Sequence, residues 1–154
     1  MSDPHPLASA ARARKIAEAD SLGIDAAFID RLVERFYARV REDAVLGPIF
    51  DARIADWPPH LSRMKAFWGA VLRGGGGFSG NPMLKHIAIP GIGRAEFDRW
   101  LALFEQVLRE IEQQPAASEL IAARAHMIAD SLVTGIQIHR DGIRPGMKEG
   151  TIDA

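Results

Sequence analysis

At 154 residues the chain fits one domain, and 47% hydrophobic against 25% charged residues is the balance of a soluble globular protein, not a disordered one. It has no cysteine, which removes disulfides, thiolate metal sites and thiol catalysis and fits a reducing, cytoplasmic setting. Lys and Arg total 19 against 20 Asp and Glu, so there is no basic footprint for nucleic acid; no uncharged apolar run nears the ~20 residues of a membrane span.

The first segment, Met1 to Leu22, is broken by Arg12, Arg14 and Lys15 and lacks the apolar core of a secretion signal. Ala8 to Ala19 suits at most a weakly amphipathic helix, and residues 1–23 read as an N-terminal extension. Asp25 is a candidate N-cap. After it Phe28, Leu32, Phe36 and Val40 recur at four-residue spacing, with Ile29, Val33 and Tyr37 beside them, which predicts a buried helical stripe. That helix is expected to stop at Leu46-Gly47-Pro48, because a residue before proline leaves the helical region.

The next helix is predicted from Asp56 or Trp57, where Pro58 and Pro59 are tolerated because first-turn amides have no helical partner. It carries Leu61, Met64, Trp68, Val71 and Leu72, with Phe67 adjacent, and ends at Gly74 to Gly77, since each glycine costs about 1 kcal/mol relative to alanine. Asn81-Pro82 opens a short helical segment through His86, closed by Pro90-Gly91. A long helix follows from about Arg94 to Gln113, faced by Phe97, Trp100, Leu101, Phe104, Leu108 and Ile111. Another runs from about Ala116 to His139, faced by Leu120, Ile121, Met127, Ile128, Leu132 and Ile136. Residues 141–154 read as a flexible tail. The expected fold class is all-α.

Four residues stand out from a generic bundle: Tyr37, the one tyrosine; His60 in a first helical turn; His86 after the glycine break; and Trp100 on an apolar face. Singly, each has an ordinary reading as packed aromatic or solvated histidine. There is no HExxH, no i,i+4 histidine pair, no nucleophile elbow, no Walker loop and no dinucleotide fingerprint. Together they say more. A helix of roughly 20 Å follows His60 before the chain turns back to His86. The two histidines can then face each other across a slot lined by Met64, Phe67 and Leu84. A flat apolar cofactor with a central metal, such as a haem held by one axial histidine, suits that slot.

The sequence resembles the truncated haemoglobins, and within them the group III branch. The resemblance is carried by Arg35-Phe36-Tyr37-Ala38-Arg39-Val40-Arg41-Glu42-Asp43, Leu46-Gly47-Pro48-Ile49-Phe50, Trp57-Pro58-Pro59-His60-Leu61, Met64 and Phe67-Trp68. Gly80-Asn81-Pro82, Lys85-His86, Phe97-Asp98-Arg99-Trp100-Leu101 and Arg124-Ala125-His126-Met127-Ile128-Ala129 continue it in family order. It implies a truncated globin domain over residues 24–140, a two-over-two helical sandwich around one haem b. By the same resemblance His86 is the ligand of the iron, Tyr37, His60 and Trp100 are distal residues, and Phe50 packs on the haem face. Arg63 and Lys85, beside the two histidines, are the candidate partners of the haem propionates.

Tyr37 can donate an O–H, Trp100 an N–H, and His60 from either nitrogen. Donors aimed at a ligand that gathers negative charge stabilise it as preorganised dipoles do at an oxyanion. Three of them point to tight oxygen retention or ligand activation over easy release. The implied function is binding of dioxygen, nitric oxide, carbon monoxide or peroxide, in oxygen binding or in detoxification. A peroxidase-like or dioxygenase enzyme is the alternative; it needs an external reductase, since the chain carries no flavin or nicotinamide motif. A helical interaction domain without haem is the third reading.

Overall fold

The computed structural model describes residues 6–74, 85–86 and 88–141. The helices among them are α1 (Pro6–Ser21), α2 (Ala26–Glu42), α3 (Leu46–Arg53), α4 (Trp57–Arg73), α5 (Arg94–Ile111) and α6 (Pro115–Asp141), and the architecture is all-α. One pair, α2 with α4, packs onto a second, α5 with α6, through the α2–α5 contact. The short α3 leans on α2 and α5, and α1 lies on α4.

The start of α2 follows the sequence. Asp25 is extended, and its Oδ1 accepts the N–H of Phe28 at 2.9 Å. The predicted stripe, Phe28, Ile29, Leu32, Val33, Phe36, Tyr37 and Val40, is buried throughout. At the centre of the molecule Phe36 meets Phe104 edge-on at 5.1 Å. Phe104 in turn stacks against Trp68 at 5.1 Å and Trp100 at 5.2 Å. Such pairs add about 0.5–1.5 kcal/mol beyond area burial.

The expected stop at Leu46-Gly47-Pro48 is corrected. Helix α2 already ends at Glu42, and Leu46 opens α3 with Pro48 inside its first turn. Proline is harmless there, because that amide would have no helical partner. Gly47 lacks the Cβ through which proline pushes its predecessor out of the helical region. The Asp43 carboxylate takes over the free amides, with Oδ2 accepting from Val45 at 3.1 Å and Leu46 at 2.9 Å.

Gly47 is demanded by closeness as well. A Cβ on it would sit 2.8 Å from the Arg41 carbonyl oxygen, and backbone cannot step aside as a side chain can. Gly47→Ala is therefore expected to lower stability by about 1–3 kcal/mol, the usual range for overpacking. Urea denaturation checks this; an unchanged midpoint would mean that the corner is looser than it looks.

Helix α4 starts at Trp57 with both prolines in its first turn, and it closes on Gly74 in the left-handed region at φ +76°, as a C-terminal glycine does. The remaining glycines of that run lie outside the described residues. At the start of α5 the Glu96 carboxylate accepts the N–H of Gly93 at 2.8 Å, and this helix ends at Ile111, two residues short of expectation.

In α6 one expected core residue is wrong: Met127 is 61% exposed. The buried stripe is Ala117, Ile121, Ala125, Ala129, Leu132, Val133 and Ile136, with Leu120 and Ile128 half-buried at its margins. Met127 lies midway between Ala125 and Ala129, about half a turn off that stripe.

Helix α1 has little amphipathic character but is tied down at its end. Ala19 is buried, and Arg73 Nη1 reaches both Asp20 Oδ1 at 2.6 Å and the Ile24 carbonyl at 2.9 Å. Among the described residues no helix is long and apolar enough to cross a membrane. The expected tail after Asp141 lies outside them.

Candidate functional site

A cavity of about 440 Å³ lies between α2, α3, α4, α5, α6 and the residues around His86, within the usual range for small-molecule and cofactor sites. Each helix places its contribution by its own periodicity. Tyr37 comes from the inner stripe of α2, Phe50 from α3, and His60, Arg63, Met64 and Phe67 from successive turns of α4. Lys85 and His86 enter from the segment before α5, and Trp100 from α5 itself. Nine residues singled out in the sequence thus meet around one space; the tenth, Leu84, lies outside the described residues.

Tyr37 and His60 touch edge to face, with ring centroids 5.2 Å apart. Trp57 packs on His60 at 5.6 Å, and Phe50 on Tyr37 at 5.8 Å. Tyr37 is buried, and burial pushes its phenol well above the ordinary value, so it keeps its proton. His60 moves the other way. Burial first, then the charges of Arg63 and Lys85, lower its pKa to about 4, which leaves a neutral ring at pH 7. Its Nε2 is buried and has no hydrogen-bond partner, a deficit that ordinarily costs about 1–3 kcal/mol. Trp100 is held by rings, edge-on to Phe36 at 5.1 Å and stacked on Phe104.

Because His60 binds a proton less readily folded than unfolded, the unfolded chain takes up more protons between pH 6.5 and about 4. Stability of the haem-free chain is then expected to fall as pH drops through that window. Urea midpoints against pH check it: the slope should flatten in His60→Gln, and an equal slope in both proteins would contradict the account.

The sequence missed part of the lining. Phe97, at 5.9 Å from the His86 ring, and the α6 residues Ile128 and Leu132 stand in the sequence as helix stripe, and Phe97, Ile128 and Ala129 also carry the resemblance, but none of them is singled out there for the site; Ile89 and Ile92 carry no signal. Arg53 also lines the cavity and donates to the Ala88 carbonyl at 3.1 Å, spanning from the end of α3 to the turn after His86. Of the remaining histidines, His126 pairs with Glu105 on the surface at 2.7 Å. Among the described residues no three His, Asp or Glu side chains gather as a metal site.

Comparison with known proteins identifies the family and the fold. The profile of the bacterial-like globins matches residues 19–134. The chain is 37% identical over 105 residues to the group 3 truncated hemoglobin ctb of Campylobacter jejuni, an alignment covering 66% of this chain and 82% of that protein. The fold superposes on the crystal structure of a group III truncated hemoglobin from Campylobacter jejuni with a TM-score of 0.69 and 34% identity, covering 73% of this chain and 91% of the other. A family match across most of the chain, a relative aligned over most of its own length and a shared fold lead to one conclusion: the chain belongs to the bacterial-like globins, on the group III branch of the truncated haemoglobins.

Proposed function

We propose that the cavity holds one haem b with His86 as the protein ligand of its iron, and that Tyr37, His60 and Trp100 serve a small ligand: dioxygen, nitric oxide, carbon monoxide or peroxide. Membership of the globin family supports haem binding in general. The residues fit the group. The observation that carries the reading is the buried, partnerless Nε2 of His60 in the same cavity as His86. A buried polar atom without a partner is what a site for a polar ligand leaves behind when only the protein is considered.

Haem, when bound, supplies an open coordination position at which a diatomic molecule or peroxide collects negative charge. The chain's own residues do the rest. Tyr37 holds a proton on Oη, Trp100 carries one on Nε1, and neutral His60 has one nitrogen to donate and one to accept. Met64, Phe67, Phe97 and Ile92 exclude water, which strengthens each of those contacts. Arg63 and Lys85, with Arg53, line the cavity and are the cations that would meet the carboxylates of a haem. In this reading residues 24–140 form the globin domain, flanked by an extension over 1–23 and a tail over 141–154, and the protein works in the cytoplasm.

The test is carbon monoxide titration of the reduced, haem-loaded protein, for which one molecule bound per chain is expected. A haem-loaded ferrous protein that takes up neither carbon monoxide nor dioxygen would overturn the ligand-binding reading.

A further inference from the structure

Every polar group of Asp43 is engaged. Its N–H donates to the Val40 carbonyl at 3.0 Å and closes α2, while its carbonyl accepts from Gly47 at 2.9 Å inside α3. Carboxylate Oδ2 accepts the amides of Val45 and Leu46. The same carboxylate receives Arg99 of α5 in a two-point contact, Nε to Oδ2 at 2.7 Å and Nη2 to Oδ1 at 2.8 Å. One side chain thus joins the end of α2, the start of α3 and the middle of α5.

The surroundings distinguish this pair from the other ion pairs. Only 7% of the Asp43 side chain is exposed, whereas the acids paired with Lys65, Arg73 and Arg94 are more than half exposed. Planar two-point contacts between guanidinium and carboxylate fix orientation as well as distance. The Arg99 hydrogen bonds are also the main reason that the Asp43 carboxyl is held down to about 2, so the pair stays charged in ordinary buffers. Helix α3 is otherwise held by the buried Leu46, by Phe50 against Tyr37 and by Arg53 on the Ala88 carbonyl, none of which meets the free amides of its first turn. It spans 8 residues, and its N-cap position, Val45, offers no side-chain bond. Yet it supplies Leu46, Ile49 and Phe50 to the cavity, and Arg99 immediately precedes Trp100, which lines the same space.

We propose that Asp43 and Arg99 are positioning residues of the ligand cavity, holding α3 against Tyr37 and fixing the register of α5 so that Trp100 faces the ligand. This rests on the reading of the cavity as a haem and diatomic-ligand site. The pair touches no ligand itself. It acts through the residues it places, and that is what separates it from a bond that merely stabilises the fold.

The experiment uses the full chain, with Arg99→Gln to remove the charge, Arg99→Lys to keep it without the two-point geometry, and Glu110→Gln as control. Glu110 also joins α5 to α2, through Arg35 and Arg39, but does not line the cavity. In the haem-free chain, amides of α3 should exchange with solvent at least about tenfold faster in Arg99→Gln than in wild type, with interior α2 amides unchanged. In the haem-loaded protein, dioxygen dissociation should be at least about fivefold faster in Arg99→Gln, intermediate in Arg99→Lys and near wild type in Glu110→Gln. In a Trp100→Phe background the Arg99 effect should shrink to the part that acts through α3 and Tyr37, because a positioning residue loses its influence on a group that has been removed. Unchanged α3 exchange, or an Arg99 effect of equal size with and without Trp100, would overturn the proposal. Should Arg99→Gln fail to fold, Arg99→Lys carries the same comparisons. A wild-type chain that takes up no haem would defeat the underlying reading alone, and the exchange measurement would still decide whether the pair holds α3.

Discussion

His86→Ala is expected to leave a folded chain that no longer retains haem. His86 is only half-buried and belongs to no long helix, so the fold loses little when its side chain goes. Haem affinity, by contrast, should drop at least about a hundredfold, equivalent to about 2.7 kcal/mol, since there is no cysteine to substitute and the cavity's other histidine, His60, projects from α4. Added imidazole should restore a haem spectrum by supplying the missing nitrogen. Haem titration of the variant with and without imidazole checks both statements. Undiminished affinity would contradict the role given to His86 and turn attention to His60, whose replacement by leucine should then abolish binding instead.

The second large effect is on ligand escape. Tyr37→Phe removes one hydroxyl and conserves the ring that packs against Phe36, Phe50 and His60, so the fold is expected to change by no more than ~1 kcal/mol. Dioxygen dissociation should accelerate about tenfold or more, which requires the lost donor to contribute at least about 1.4 kcal/mol. Trp100→Phe should act in the same direction, and the double variant should show less than the product of the two effects, because both donors address one ligand. Carbon monoxide gathers less negative charge, so its release should respond less. Stopped-flow measurement of both ligands on the three variants decides the matter. Equal effects on the two ligands, or none, would make the pocket steric and not electrostatic.

Local physics made much of the fold legible. A capping aspartate and a four-residue apolar period lead to α2 without any tertiary information, and two prolines in a first turn mark α4 as plainly as they would mark a loop elsewhere. Helix α3 was hidden because Gly47-Pro48 reads as a terminator. What makes it a helix is the Asp43 carboxylate on its free amides, itself oriented by an arginine 56 residues away. Met127 falls off the predicted face because the inner face of α6 is built partly of Ala117, Ala125 and Ala129, small residues that add little to an apolar pattern.

For the candidate site, Tyr37, His60, His86 and Trp100 stand out in the sequence as residues unusual for a generic bundle, the ordered resemblance gives each a role, and all four line the cavity. Arg53 and Phe97 are not legible as site residues, for opposite reasons. One is a charged residue on a helix that was not expected, and the other completes a stripe so regular that packing alone accounted for it.

The most direct measurement is a titration of the purified haem-free chain with haem, followed by its Soret absorbance. A sharp, saturable change ending at one haem per chain in the wild type, and missing in His86→Ala until imidazole is added, is the expected result. A wild-type titration with no saturable change, or one indistinguishable from His86→Ala, would contradict the claim that this cavity is a haem site built on His86.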